Sequence, residues 1–115
     1  MTALDPDTIG PLARDLPPAD FVRIVHTFEI DLARLVAQMV DYATAGDLEE
    51  YRRSAHALAG AAGAIGAMRL AADARLAMDP REQTPPRDIL GRIGGEARQV
   101  LAELAGWAAG VPPAA

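Results

Sequence analysis

Phe21, Ile24, Val25, Phe28, Leu32, Leu35, Val36 and Met39 recur at intervals of three and four residues. No other feature limits the possible folds of this chain as strongly. That period places every one of these side chains on one stripe of an α-helix, whereas on a strand it would scatter them over both faces. The Pro17-Pro18 pair marks where the helix begins, because proline is tolerated in a first turn. The pattern carries the helix to about Thr44. Ala45-Gly46-Asp47 then supplies a stop and a start: Gly46 suits a left-handed C-terminal cap, Asp47 an N-cap, and Glu50 the reciprocal position of a capping box. Two helices joined by so short a turn fold back on each other.

The remainder of the chain reads the same way. A third helical stretch runs from Leu48 to about Ile65, with Gly66 as its break, and a shorter one follows from about Ala67 to Met78. Residues 79–86 contain three prolines and read as a loop. From about residue 87 to 108, Ile89, Ile93, Ala97, Val100, Leu101, Leu104 and Trp107 share one face. The expected architecture is all-α: an antiparallel up-down four-helix bundle over residues 17–108. Residues 1–16, broken by Pro6, Gly10 and Pro11, hold at most a short extra helix around Ile9, Leu12 and Leu16. Residues 109–115 are expected to be a flexible tail.

Composition agrees and narrows the function. Aromatic residues are only 4% of 115 residues although half the chain is apolar, a profile that favours closely packed helices over a sheet. There is no Cys, so thiolate metal sites and disulfides are excluded. The formal charge is −5, all 11 basic residues are Arg, and no basic run occurs, which disfavours nucleic acid as a partner. The uncharged stretch from Ser54 to Met68 is shorter than the ~20 residues that span a bilayer. A soluble, cytoplasmic, monomeric domain is expected.

The third helix carries the chemistry. Leu48, Tyr51, Ala55, Leu58, Ala62 and Ile65 fall in one arc that faces the core. His56 lies about 130° from the centre of that arc and so points outward. Around it on the surface are expected Arg52, Arg53, Ala59, Gly60 and Gly63. A glycine inside a helix costs ~1 kcal/mol relative to alanine. Gly63 lies toward a flank, where a neighbouring helix accounts for it. Gly60 points away from the core, where only an approaching partner needs the room. His26 and His56 have no ligand spacing between them, so no metal site is expected. Gly60, Gly63 and Gly66 form no phosphate-cradling loop, since no strand precedes them.

His56-Ala57-Leu58-Ala59-Gly60, followed by Ala61-Ala62 and Gly66, resembles the His-x-Leu-Lys-Gly-small-small signature of histidine-containing phosphotransfer (HPt) domains. The Ala45-Gly46-Asp47-Leu48-Glu49 turn, the Arg69-Leu70 pair and the helix order extend the resemblance over roughly residues 17–108. It implies reversible movement of a phosphoryl group between His56 and an aspartate on a receiver domain, fed by a hybrid histidine kinase. It also implies that the receiver brings Mg²⁺ and its acidic cluster, so that this chain binds no cofactor and acts as a phosphocarrier rather than a complete enzyme. A free imidazole titrates near ~6.5 and offers a neutral nucleophilic nitrogen at pH 7. The family commonly carries Lys where this chain has Ala59; Arg52 and Arg53, one turn before His56, are the candidates to supply the missing charge. Val22, His26 and Ile30, which advance by fours away from the core stripe, form a candidate receiver-binding strip.

Two other readings belong beside this one. A degenerate HPt-like bundle would bind a receiver or kinase without accepting phosphate, as Ala59 allows. A dimerising kinase core also displays a histidine on a helical hairpin, but its histidine box usually has an acidic residue after the histidine and a proline nearby, where Ala57 and Gly60 stand.

Overall fold

The computed structural model describes residues 2–110. Within them are five helices: α1 (Pro6–Asp15), α2 (Pro18–Ala45), α3 (Leu48–Ala64), α4 (Met68–Met78) and α5 (Pro86–Ala108). The last four form the expected bundle. Each packs on its neighbour in sequence, and α5 closes the ring against α2. The molecule is 43 Å long, close to the ~42 Å expected for a helix of α2's 28 residues. The longest helix thus sets the length of the bundle.

The apolar stripe of α2 faces inward at Phe21, Val25, Leu32, Leu35 and Met39, with Phe28 and Val36 half-buried beside them. Pro18 occupies the first turn, where its missing N–H leaves no helical bond unmade. The chain leaves α2 through Gly46, whose φ of 75° lies in the left-handed region that glycine enters without a steric penalty. Asp47 then caps α3 by accepting the Glu50 N–H at 3.2 Å. Only half of the capping box forms. The Asp47 N–H goes instead to the Tyr42 carbonyl at 2.9 Å, and the Glu50 carboxylate pairs with Arg53 at 2.7 Å.

Helix α3 is covered on two sides, by α2 and by α4. Its buried arc, Tyr51, Ser54, Ala55, Leu58, Ala59 and Ala62, is therefore wider than its apolar stripe. Ala59, expected on the surface beside His56, is 8% exposed. Leu48, expected in the core, is 43% exposed. It lies in the first turn of α3, where the wall of an adjoining cavity comes from the loop after α4 and the start of α5 rather than from a packed helix.

The N-terminal residues do more than the sequence indicates. Leu4 and Ile9 are 2% and 0% exposed and belong to the core. Glu103 of α5 accepts the backbone N–H groups of Ala3 and Leu4, and the Asp5 N–H donates to the Gly66 carbonyl at 2.8 Å. This segment therefore seals the end of the bundle where α3 turns into α4. Gly66 is required there twice over. Its φ is 82°, and a Cβ on it would lie 2.9 Å from the Thr8 Cβ and 3.2 Å from the Asp5 Cβ. Residues 111–115, most of the expected tail, lie outside the described residues. Among the described residues no helix is long and apolar enough to cross a membrane.

One polar cluster lies in the α4–α5 seam. Asp73 is 9% exposed, and an Arg92 nitrogen stands 3.9 Å from its carboxylate. Glu96 Oε2 is buried without a hydrogen-bond partner. Burial first, then hydrogen bonding to Asp73 and its charge, push the Glu96 carboxyl up to about 7, while Arg69 and Arg92 pull the other way.

Two predictions test this packing. Gly66→Ala should destabilise the fold by about 2 kcal/mol, since a left-handed alanine alone costs ~1–2 kcal/mol; urea denaturation measures it, and an unchanged midpoint contradicts the docking of residues 5–8. Between pH 4.5 and about 7, folded Glu96 holds a proton that the unfolded chain has released. Stability contributed by that proton is full below pH 4.5 and is lost as pH rises through about 7. The melting temperature should therefore fall more between pH 5 and 8 in the natural chain than in Glu96→Gln. Parallel curves for the two would show that Glu96 does not titrate there.

Candidate functional site

With α2 and α4 on its flanks, α3 has one strip left facing solvent. Arg53, His56, Ala57, Gly60 and Ala64 are exposed along it, with Gly63 half-exposed at its edge. Cβ atoms built on Gly60 and Gly63 would meet nothing within 4 Å. Gly63, expected to make room for a neighbouring helix, makes room for none. Both glycines thus leave bare backbone on the same side of the helix as the imidazole. Past His56 the exposed positions of α3, Ala57, Gly60 and Ala64, carry almost no side-chain bulk, and on the adjoining helices Ala33 and Ala37 of α2 and Ala72 of α4 are also exposed and small. Sequence reasoning missed these alanines. Their signal was the four-residue spacing of Ala33 and Ala37 outside the core stripe.

The α2–α3 register follows from their shared groove, which Asp31, Leu35, Gln38 and Tyr42 line from one side and Glu50, Ser54, Ala57 and Ala61 from the other. Residues pair head to tail, so His56 stands level with the Ala37 region. By the same register Ile30 is level with the last turn of α3, His26 with the bend beyond it, and Val22 further still. The strip proposed from the sequence therefore divides. Ile30 is 67% exposed and borders the small-residue face. His26 is exposed but faces Glu29, with Nε2 3.9 Å from the carboxylate, and Val22 is half-buried. The structure does not gather Val22 and His26 around His56. It offers Met68 instead, 54% exposed at the start of α4.

The charges nearby are mostly engaged. Arg53 pairs with Glu50 at 2.7 Å and with Glu49 at 3.5 Å, which draws its guanidinium back toward the start of α3. Arg34 pairs with Asp31 at 3.5 Å. Arg52 lines a cavity of about 160 Å³ with Leu76, Ala77 and Asp79. Ala59, beneath the edge of the strip, contributes no charge. Among the described residues no group of three His, Cys, Asp or Glu side chains is placed to hold a metal ion. The arrangement is that of an exposed imidazole with a wide approach.

Since neither glycine is needed by the fold, Gly60→Ala and Gly63→Ala should each stabilise the free protein by about 1 kcal/mol. Chemical denaturation measures this, and a loss of stability in either variant would mean that the backbone there does serve packing.

A family model described as Hpt domain matches residues 23–107, which takes in almost all of α2 and α5 and everything between them. No curated protein and no solved structure matches the chain. The match covers most of the chain and all four helices of the bundle, with the exposed histidine at its centre. This chain accordingly belongs to the Hpt domain family, the phosphocarrier modules of two-component signalling that work with the receiver domains of response regulators.

Proposed function

We propose that His56 accepts a phosphoryl group from an aspartyl phosphate on a receiver domain and can return it. A neutral imidazole nitrogen attacks phosphorus; a P–N bond forms as the P–O bond to the aspartate breaks, and the aspartate leaves as a carboxylate. Phosphoryl transfer passes through a loose transition state, so positioning and charge stabilisation matter more than covalent help from the protein. The receiver brings Mg²⁺ and the acidic residues that bind it. This chain brings the nucleophile and a surface that lets the receiver come close. The observation that carries the reading is the exposed His56 beside two glycines whose missing side chains would meet nothing.

The receiver then rests on the small-residue face, with Ile30 and Met68 as apolar anchors at one end. Contact areas of this kind need a desolvated apolar centre more than they need charge. On α3 the candidates to balance the phosphoryl charge in place of Lys are Arg52 and Arg53. A hybrid histidine kinase is the upstream donor, and the chain works as a cytoplasmic monomer.

The burial of an alanine where the family commonly has Lys favours one other reading: a bundle that binds a receiver without accepting phosphate. Incubation with a ³²P-phosphorylated receiver separates the two. The relay predicts acid-labile, base-stable label on the natural chain and none on His56→Gln. Retained binding with no label on the natural chain would leave only the scaffold.

A further inference from the structure

Ala59 leaves open which group on this chain neutralises a phosphoryl group on His56, and the answer comes from the helix across the seam. The α3–α4 register can be read from the cavity that Arg52 shares with Leu76, Ala77 and Asp79. Arg52 of α3 is thus level with the end of α4. One turn along α3 leads from Arg52 to His56. One turn back along antiparallel α4 leads from Asp79 to Arg75. The hairpin turn gives the same pairing. His56 lies about 12 Å before the end of α3 at Ala64, and Arg75 about 10 Å after the start of α4 at Met68.

Helical phase supplies the direction. Asp73 faces α5, where Arg92 stands 3.9 Å from it. Arg75, two residues on, is turned ~200° away and so lies on the flank of α4 toward α3. The seam it overlooks is lined by Ala55, Ala59 and Ala62 on one side and Ala71 and Ala74 on the other, all buried. Such small side chains let two helices approach at the short end of the usual 8–10 Å, which is within the reach of an arginine. Arg75 is exposed, and among the described residues it has no ion pair. Arg53 and Arg34, by contrast, are held by carboxylates.

We infer that Arg75 reaches across the α3–α4 seam, over Ala59, to bind the phosphoryl oxygens on His56, supplying from α4 the charge that a lysine on α3 would give. A guanidinium suits this role because its paired N–H groups match two phosphoryl oxygens and its charge is permanent. No bond is made or broken by Arg75; it stabilises charge on the group in transit. The inference rests on the phosphotransfer reading and names the residue that completes it.

The test is single-turnover transfer from a phosphorylated receiver to the natural chain, Arg75→Ala, Arg75→Lys, Arg75→Ala with Ala59→Lys, and His56→Gln. A lost charged hydrogen bond predicts a roughly tenfold slower transfer for Arg75→Ala. Arg75→Lys should recover part of the rate, and so should Ala59→Lys in the Arg75→Ala background. Transfer to Arg75→Ala at the natural rate, with His56→Gln unlabelled, overturns the assignment and leaves the phosphotransfer reading standing. An unlabelled natural chain overturns that reading itself. A second readout needs no receiver: on chemical phosphorylation with phosphoramidate, the Arg75 Nε–H resonance should shift in the natural chain and stay in place in His56→Gln. An Arg75 resonance that is blind to phosphorylation of His56 contradicts the contact.

Discussion

Close packing of α3 between α2 and α4 is the constraint from which the rest of the molecule follows. Alanines make it possible. Ala55, Ala59 and Ala62 of α3 and Ala71 and Ala74 of α4 are all buried, and α3 packs on α4 as well as on α2. Burial on both flanks leaves α3 a single narrow strip of solvent-facing residues. His56 therefore has few neighbours that can crowd it, and residues from three helices come together around it. The same packing explains the covering of Ala59: a residue about 60° from the imidazole around the helix is already beneath the next one.

Energetics and the proposed function pull in opposite directions on that strip. Two helical glycines with open space around them forgo about 2 kcal/mol of helix stability, a sizeable part of the ~5–15 kcal/mol that holds a typical domain together. The loss is offset elsewhere. Leu4 and Ile9 extend the core past the end of α3, and the Asp5–Gly66 and Glu103–Ala3/Leu4 bonds fasten that extension. The N-terminal segment thus closes the end of the bundle that lies beyond the bare strip, without covering the strip itself.

Helices α2 and α5 were legible in the sequence because a single strong period, with proline at the start and glycine just past the end, leaves little choice. Asp47 and Gly46 were legible for the same local reason: a cap and a left-handed turn are decided by the residue that occupies them. The outward direction of His56 followed from phase. Ala59, Gly63, Val22 and His26 were misplaced because their environment depends on how helices register and how many flanks are covered, and a helical wheel carries neither fact. Alanine is especially mute here, since it is equally at home buried or exposed. The docking of residues 3–9 depends on a backbone carbonyl at Gly66 and a carboxylate far along the chain at Glu103, pairings for which the sequence has no period.

The central claim is that the face of α3 is kept bare so that a partner can reach His56. A size series at Gly60 tests it most directly: transfer from a phosphorylated receiver to the natural chain, Gly60→Ala, Gly60→Gln and Gly60→Leu, with the unfolding free energy of each. The account predicts that all three variants are at least as stable as the natural chain while the transfer rate falls steadily with side-chain size. Undiminished transfer to a stable Gly60→Leu variant would contradict it.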